Sequence, residues 1–214
     1  PYTPTGTPTI TGVSNPCIIT NLASGTYYDI FVQTNCGGEG LSIWSLPITI
    51  LTKCLPLNVP ISEDFGLATV NPTWPLCWSH ISINSEPTGG VAVSSYFSHS
   101  GNGVRMEPAG DAAAEMILIS PPLSPAVSTL KASFWARSYS GTDQNALLVG
   151  TITDTTNAAS FTALQTIAVS NAYQFYTVYF DDYTGSDIYI AWRHNSSDFP
   201  TNDVCIDDVL IEAL

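Results

Sequence analysis

Apolar side chains along this chain recur at alternate positions in short runs, and almost nowhere at helical spacing. Tyr28-Asp29-Ile30-Phe31-Val32, Tyr176-Thr177-Val178-Tyr179-Phe180 and Ile188-Tyr189-Ile190-Ala191-Trp192 are rich in β-branched and aromatic residues, the signature of strands. Turn clusters punctuate them at Ala23-Ser24-Gly25-Thr26, Cys36-Gly37-Gly38-Glu39-Gly40, Ser140-Gly141-Thr142-Asp143 and Asp182-Tyr183-Thr184-Gly185. The nearest approach to a helix, Ala112 to Met116, runs straight into a β-like segment. Many short strands at this spacing predict an all-β sandwich.

Composition narrows the partners. The 214 residues carry 18 Asp+Glu against 5 Lys+Arg, a formal charge of −13, and 44% are hydrophobic. That apolar content excludes a disordered acidic tail. The cations Lys53, Arg105, Lys131, Arg137 and Arg193 are scattered and cannot neutralise a phosphate backbone, which excludes nucleic acid and disfavours anionic membranes. No run approaches the ~20 apolar residues of a membrane span. Beginning at Pro1, without a basic or apolar leader, the chain reads as a processed piece of a longer polypeptide. Calcium, neutral sugars and other proteins remain as natural partners.

The cysteines, Cys17, Cys36, Cys54, Cys77 and Cys205, form no CxxC pair and no zinc spacing with His80, His99 or His194. Two structural disulfides and one leftover thiol are expected, in an exported protein where such bonds persist. The preferred pairs are Cys36–Cys54, closing the first module, and Cys77–Cys205, tying early to late strands of the second. Cys17 is then odd, free or joined to a segment elsewhere.

A domain boundary is expected near Lys53 to Pro60. Before it, TNLASGTYYDIFVQTNCGGEGLSIWSLPITILTK carries Leu22, Gly25, Tyr28, Ile30 and Val32, then Trp44-Ser45 and Ile48-Thr49-Ile50. Residues 1–53 thereby resemble the C-terminal half of a fibronectin type III domain, with Tyr28 at the tyrosine-corner position. A whole domain of that kind needs roughly 100 residues and about seven strands. Half a sandwich would leave an apolar face and bare strand edges. The missing strands are expected upstream in the same polypeptide, or from another chain.

Residues 54–214 present ISEDF, PLCWSH, SHSGNGVRME, ILISPPLSP, LKASFWARS, FTALQTI, YTVYFDDYTGSDIYIAWRH and VCIDDVLIE in order. This series resembles the jelly-roll domains of cleaved adhesins and MAM-like modules in secreted proteins of Bacteroidota, over essentially all of 58–214. The resemblance implies two facing antiparallel sheets, often a structural calcium ion, and an extracellular or cell-surface setting. It implies adhesion, glycan binding or service to a secreted enzyme.

Strand alternation suggests donors for the calcium ion that the resemblance implies. Glu63 shares a side with Phe65, and Asp207 with Val209 and Ile211, so both carboxylates are expected to face the sandwich interior. A buried charge must be paired, hydrogen-bonded or metal-bound, and calcium takes roughly six to eight oxygens. Asn102, in the Ser100–Gly103 turn, adds an oxygen, while Asp64 and Asp208 are alternates for a register shifted by one. Asp181-Asp182, Asp198 and Asp203 read as surface charge.

Trp74, Trp78, Trp135 and Trp192 are expected in the core, and Trp44 in the first module's own structure. Tyr96, Phe97, Tyr139, Tyr183 and Phe199 lie in turn-rich stretches, where an exposed ring suits a sugar. Arg137, Tyr139, Arg193 and His194, with Tyr183, are the candidate ligand contacts. No GxSxG, HExxH or P-loop occurs, which argues for a non-enzyme. The sequence therefore reads as an extracellular adhesion module stabilised by calcium, binding a glycan or protein beside neighbouring domains of one polypeptide. Alternatives are a carbohydrate-binding accessory domain of a secreted hydrolase and a structural repeat or filament subunit completed by a neighbouring chain.

Overall fold

The computed structural model of the chain describes residues 4–66, 74–96, 98–139 and 144–214. Phe97 and the expected Ser140–Asp143 turn lie outside the described residues. The chain divides into two units, Pro1–Leu55 and Pro56–Leu214. Helical structure among the described residues is confined to three single 3-10 turns, and no helix is long and apolar enough to cross a membrane.

In the first unit, β1 (Tyr27–Ile30) pairs antiparallel with β2 (Ile48–Leu51), setting Tyr28 opposite Ile50 and Ile30 opposite Ile48. The Tyr28 hydroxyl accepts the Ala23 N–H at 2.8 Å, tying the strand to the turn before it. Gly25 makes that turn at φ +56°, a conformation that favours glycine. Ile43 is 91% exposed and Leu46 85%. Among the described residues, every buried hydrophobic side chain belongs to the second unit.

The second unit supplies β3 (Ile61–Glu63), β4 (Ser79–Ile83), β5 (Gly90–Ser94), β6 (Gly103–Glu107), β7 (Glu115–Ile119), β8 (Leu130–Ser138), β9 (Gln144–Ile152), β10 (Phe161–Val169), β11 (Gln174–Tyr179), β12 (Ile190–His194) and β13 (Val204–Ala213). They form two antiparallel sheets, ordered β10-β9-β12-β7-β4 and β11-β8-β13-β6-β5, with β3 paired to β13. This is the all-β sandwich that the alternating pattern predicts. Between the sheets lie Phe65, Trp78, Met106, Leu118, Phe134 and Trp192. Phe134 meets Trp192 edge to face at 5.8 Å. Fully burying a side chain such as Phe134 contributes about 1.5–3 kcal/mol. On β7, Met116 and Leu118 point into this core, whereas Ile117 and Ile119 join Ile81, Ile152 and Ala191 in a second apolar layer on the other side of their sheet.

Two expectations about side-chain direction fail. Trp135, between the core residues Phe134 and Ala136, faces away from the interior and stacks on His99. Asp207 also faces outward. Val204 and Ile206 enter the core, placing Cys205 and Asp207 on the opposite side, but Val209 and Ile211 enter it again. A β-bulge causes the switch: the register against β8 shifts between Asp207 and Leu210, and Asp208 takes φ +48°.

The expected disulfides Cys36–Cys54 and Cys77–Cys205 do not form, since Cys17, Cys36 and Cys205 are free. Cys54 and Cys77 are the bonded cysteines. Cys205 is buried opposite Arg137 and Arg105 on the outer side of the six-stranded sheet, while Cys77 leads into β4 of the facing sheet.

Candidate ligand-binding face

Alternation fixes what the six-stranded sheet shows to solvent. Because Val104, Met106, Ala132, Phe134, Ala136 and Val178 point inward, the outer side carries Arg105 and Glu107 of β6, Ser133, Trp135 and Arg137 of β8, and Phe175, Thr177 and Tyr179 of β11.

At one end, Arg105 is clamped by carboxylates. Its Nε and Nη2 donate to Asp203 Oδ2 at 2.9 and 2.5 Å, and Nη1 lies 2.8 Å from Glu107 Oε2. Burial opposes the guanidinium charge, but these two carboxylates outweigh it and hold Arg105 firmly protonated. The guanidinium carbon stands 5.5 Å from the Tyr96 ring centre, and the Tyr139 N–H donates to the Asp203 carbonyl. Tyr96 and Tyr139, 57% and 51% exposed, flank a cavity of about 380 Å³ whose walls include Arg105, Glu107, Thr201 and Asp203.

Aromatic rings continue along the sheet. Trp135 stacks on His99 at 4.1 Å and meets Phe175 at 5.6 Å. His99 contacts the Tyr173 ring at 5.1 Å, and Arg137 lies 5.9 Å from that ring's centre. The His99–Ser100 turn is held from below. Asp207 Oδ2 accepts both its N–H groups at 2.9 Å, and Oδ1 accepts the Asp208 N–H at 2.8 Å. Burial pushes the Asp207 carboxyl up to about 6 despite those bonds. His99 Nδ1 lies 2.7 Å from Asp208 Oδ2, and Ser100 Oγ donates to Asp208 Oδ1.

The five ligand contacts expected from sequence do not converge. Arg137 and Tyr139 belong to this face. Arg193 lies on β12 of the other sheet, paired with Glu115 at 2.6 Å. His194 is buried: its Nε2 donates to the Asn202 carbonyl at 2.6 Å and its Nδ1 bonds Ser196 Oγ. Burial lowers its pKa to about 4. The Tyr183 hydroxyl accepts the Asp187 N–H, and its ring, like that of Phe199, packs on the core. His99, Trp135, Tyr173 and Phe175 escaped the sequence reading. In QFYTVY each alternating set holds two apolar or aromatic residues and one polar residue, so the pattern cannot choose which faces solvent.

The expected calcium donors separate. Glu63 opposite Val209 keeps the interior side of the sheet. Its Oε1 accepts the Phe65 N–H at 2.8 Å, while Asn102 Nδ2 donates to the Phe65 carbonyl at 3.5 Å. Burial raises the pKa of Glu63, the Phe65 bond lowers it, and neighbouring Asp64 raises it further. Asp64 caps the Gly66 N–H. Asp207 and Asp208 serve the His99–Ser100 turn. Among the described residues, no three His, Cys, Asp or Glu side chains gather as a metal site. The oxygens at Glu63, Asn102 and Phe65 are nevertheless of the kind calcium takes, around a half-buried carboxylate that a cation would relieve.

Asp208 and His99 form an acid–imidazole pair, yet neither adjacent hydroxyl is set as a nucleophile. Ser98 Oγ donates to the Ser95 and Gly101 carbonyls, and Ser100 Oγ to Asp208.

No protein-family model and no curated protein matches this chain. Solved structures do. The K2 cleaved adhesin domain of Lys-gingipain is 20% identical, covering 72% of this chain and 99% of that one at a TM-score of 0.54. The K1 domain from Porphyromonas gingivalis W83 is 20% identical, covering 73% and 99% at 0.51. The K3 domain of the same organism is 22% identical, covering 72% and 100% at 0.50. At these identities the likeness is one of fold.

Proposed function

We propose that the second unit is a non-catalytic extracellular adhesion module that binds a glycan through the outer face of its six-stranded sheet. The observation that carries this reading is the cavity between Tyr96 and Tyr139 with Arg105, Glu107 and Asp203 in its walls. Rings give a sugar an apolar platform, and fixed charged groups bond its hydroxyls. The fold shared with cleaved adhesin domains agrees with it. Structural calcium at Glu63 and Asn102, completed by carbonyl oxygen and water, would pin β3 to the loop before β6, while Asp207 and Asp208 stay with the His99–Ser100 turn on the other face.

The first unit reads as the C-terminal part of a fibronectin type III domain, with Tyr28 and Ala23 forming the tyrosine-corner bond. Its exposed Ile43 and Leu46 fit a face that further strands of the same polypeptide would cover.

A glycan array probed with the full chain tests the reading. Binding to a defined glycan class, lost in Tyr96→Ala/Tyr139→Ala, supports it. Failure to bind any glycan overturns it. The same face suits a carbohydrate-binding accessory domain of a secreted hydrolase, and retention on an insoluble polysaccharide, rather than on host-cell glycans, would favour that reading.

A further inference from the structure

The aromatic residues of the outer face are spaced along the strand direction. Tyr139 follows the end of β8. Trp135 lies four residues earlier, directly opposite Phe175, and Lys131 four residues earlier again, opposite Tyr179. At about 3.3 Å per residue, successive stations stand about 13 Å apart. Each station has an exposed ring: Tyr139, Phe175 and Tyr179. A single sugar ring cannot bridge two of them, whereas a short linear oligosaccharide can.

The charges along this line are set against anions. Arg105 is consumed by Asp203 and Glu107, and the middle station lies beside Asp207 and Asp208, which anchor the His99 turn. Lys131 at the third station is paired with Glu212, so Glu107, Asp203, Asp207, Asp208 and Glu212 outnumber Arg105, Arg137 and Lys131. A uronate or sulfate chain would meet net negative charge along its length, whereas a neutral polyol meets stacking surfaces and hydrogen-bonding groups.

We infer that the outer face is a track for an extended neutral glycan, with one sugar seated between Tyr96 and Tyr139 and others on Phe175 and Tyr179. This rests on the glycan-binding reading above and specifies the chain length and charge of the ligand. The length of the ligand is then read by β11, an edge strand whose outer side chains do little for the core.

Titration calorimetry on the full chain tests it, using cello-, xylo- and mannohexaose, the matching disaccharides, and hexagalacturonate as the anionic counterpart. For at least one neutral series, the hexasaccharide is expected to bind ten-fold or more tightly than its disaccharide. Phe175→Ala and Tyr179→Ala should each weaken hexasaccharide binding several-fold and leave disaccharide binding unchanged. Both side chains are exposed, and an unchanged near-ultraviolet spectrum checks that the variants fold. Equal affinity for both lengths, or a Phe175→Ala variant indistinguishable from the parent, overturns the track while leaving a glycan site at Tyr139. Tighter binding of hexagalacturonate overturns the assignment of a neutral ligand. Binding of none of these sugars, together with a blank glycan array, overturns the reading beneath it.

Discussion

Asp207 and Val209 lie two positions apart on β13 and project to opposite faces of the sheet, because Asp208 between them adopts φ +48°. Val209 fills the core, while Asp207 is fully buried beneath the His99–Ser100 turn. One bulge thus couples the interior to the aromatic outer face.

The left-handed conformation costs an L-residue roughly 1–2 kcal/mol, and the Asp208 bonds to His99 and Ser100 offset it. Asp208→Ala keeps the strain and loses the bonds, so a loss of about 1–3 kcal/mol is expected. Asp208→Gly relieves the strain and should lose less. Urea midpoints order the two variants, and a glycine variant less stable than the alanine variant would contradict this account.

Calcium at Glu63 should raise the unfolding temperature of the full chain, and excess chelator should reverse the shift. An ion at 100 times its dissociation constant adds about 2.7 kcal/mol. Glu63→Gln is expected to abolish the response. Superimposable melting curves with calcium and with chelator would sink the site.

His194 and Asp207 give opposite pH dependences. Burial lowers the His194 pKa from 6.5 to about 4, so between those values the unfolded chain binds the extra proton and stability falls as pH drops. The full effect is about 3 kcal/mol, lost from pH 6.5 down to pH 4. Asp207 is raised from 3.8 to about 6, so its contribution falls as pH rises through that interval. The two offset each other in the parent protein. Urea unfolding of His194→Gln should therefore become more stable relative to the parent as pH is lowered from 7 to 4.5. A pH-independent difference would show that His194 does not titrate in this way.

Much of this architecture was legible in the chain. Alternation in runs such as Tyr176–Phe180 identifies strands, and Trp78 and Trp192 announce the core they occupy. What alternation cannot read is its own interruption. Nothing in Ile206-Asp207-Asp208-Val209 marks the extra residue that turns Asp207 outward, so the carboxylate expected beside Glu63 sits on the other face. Trp135 looked like core because it is apolar among apolar neighbours, and only pairing with β11 and the His99 turn places it outside. His194 shares its side of the strand with the core residue Trp192, so alternation already points it inward, away from the ligand role expected of it.

Thiol chemistry separates the observed bonding from the expected one. In the folded, unreduced protein Cys17 and Cys36 are exposed, whereas burial pushes the Cys205 thiol up to about 12. An alkylating reagent should modify Cys17 and Cys36 first, Cys205 only on unfolding, and Cys54 and Cys77 only after reduction. Peptide mass mapping reads the order. Protection of Cys36 until reduction would restore the pairing expected from sequence, and early modification of Cys54 or Cys77 would contradict the observed bonding.

The short β3 gives the second unit a defined mechanical weak point. Tension between Pro56 and Leu214, once past the Leu57–Leu123 bridge, reaches β3 and β13 at the same end, where Ile61 stands opposite Ile211. Antiparallel neighbours loaded that way open like a zipper, one pair after another, instead of sharing the force. Trp135 on β8 and Phe175 on β11 sit on strands outside the line of pull. Under such a load the unit can lengthen at β3 while the ring-lined surface keeps its shape.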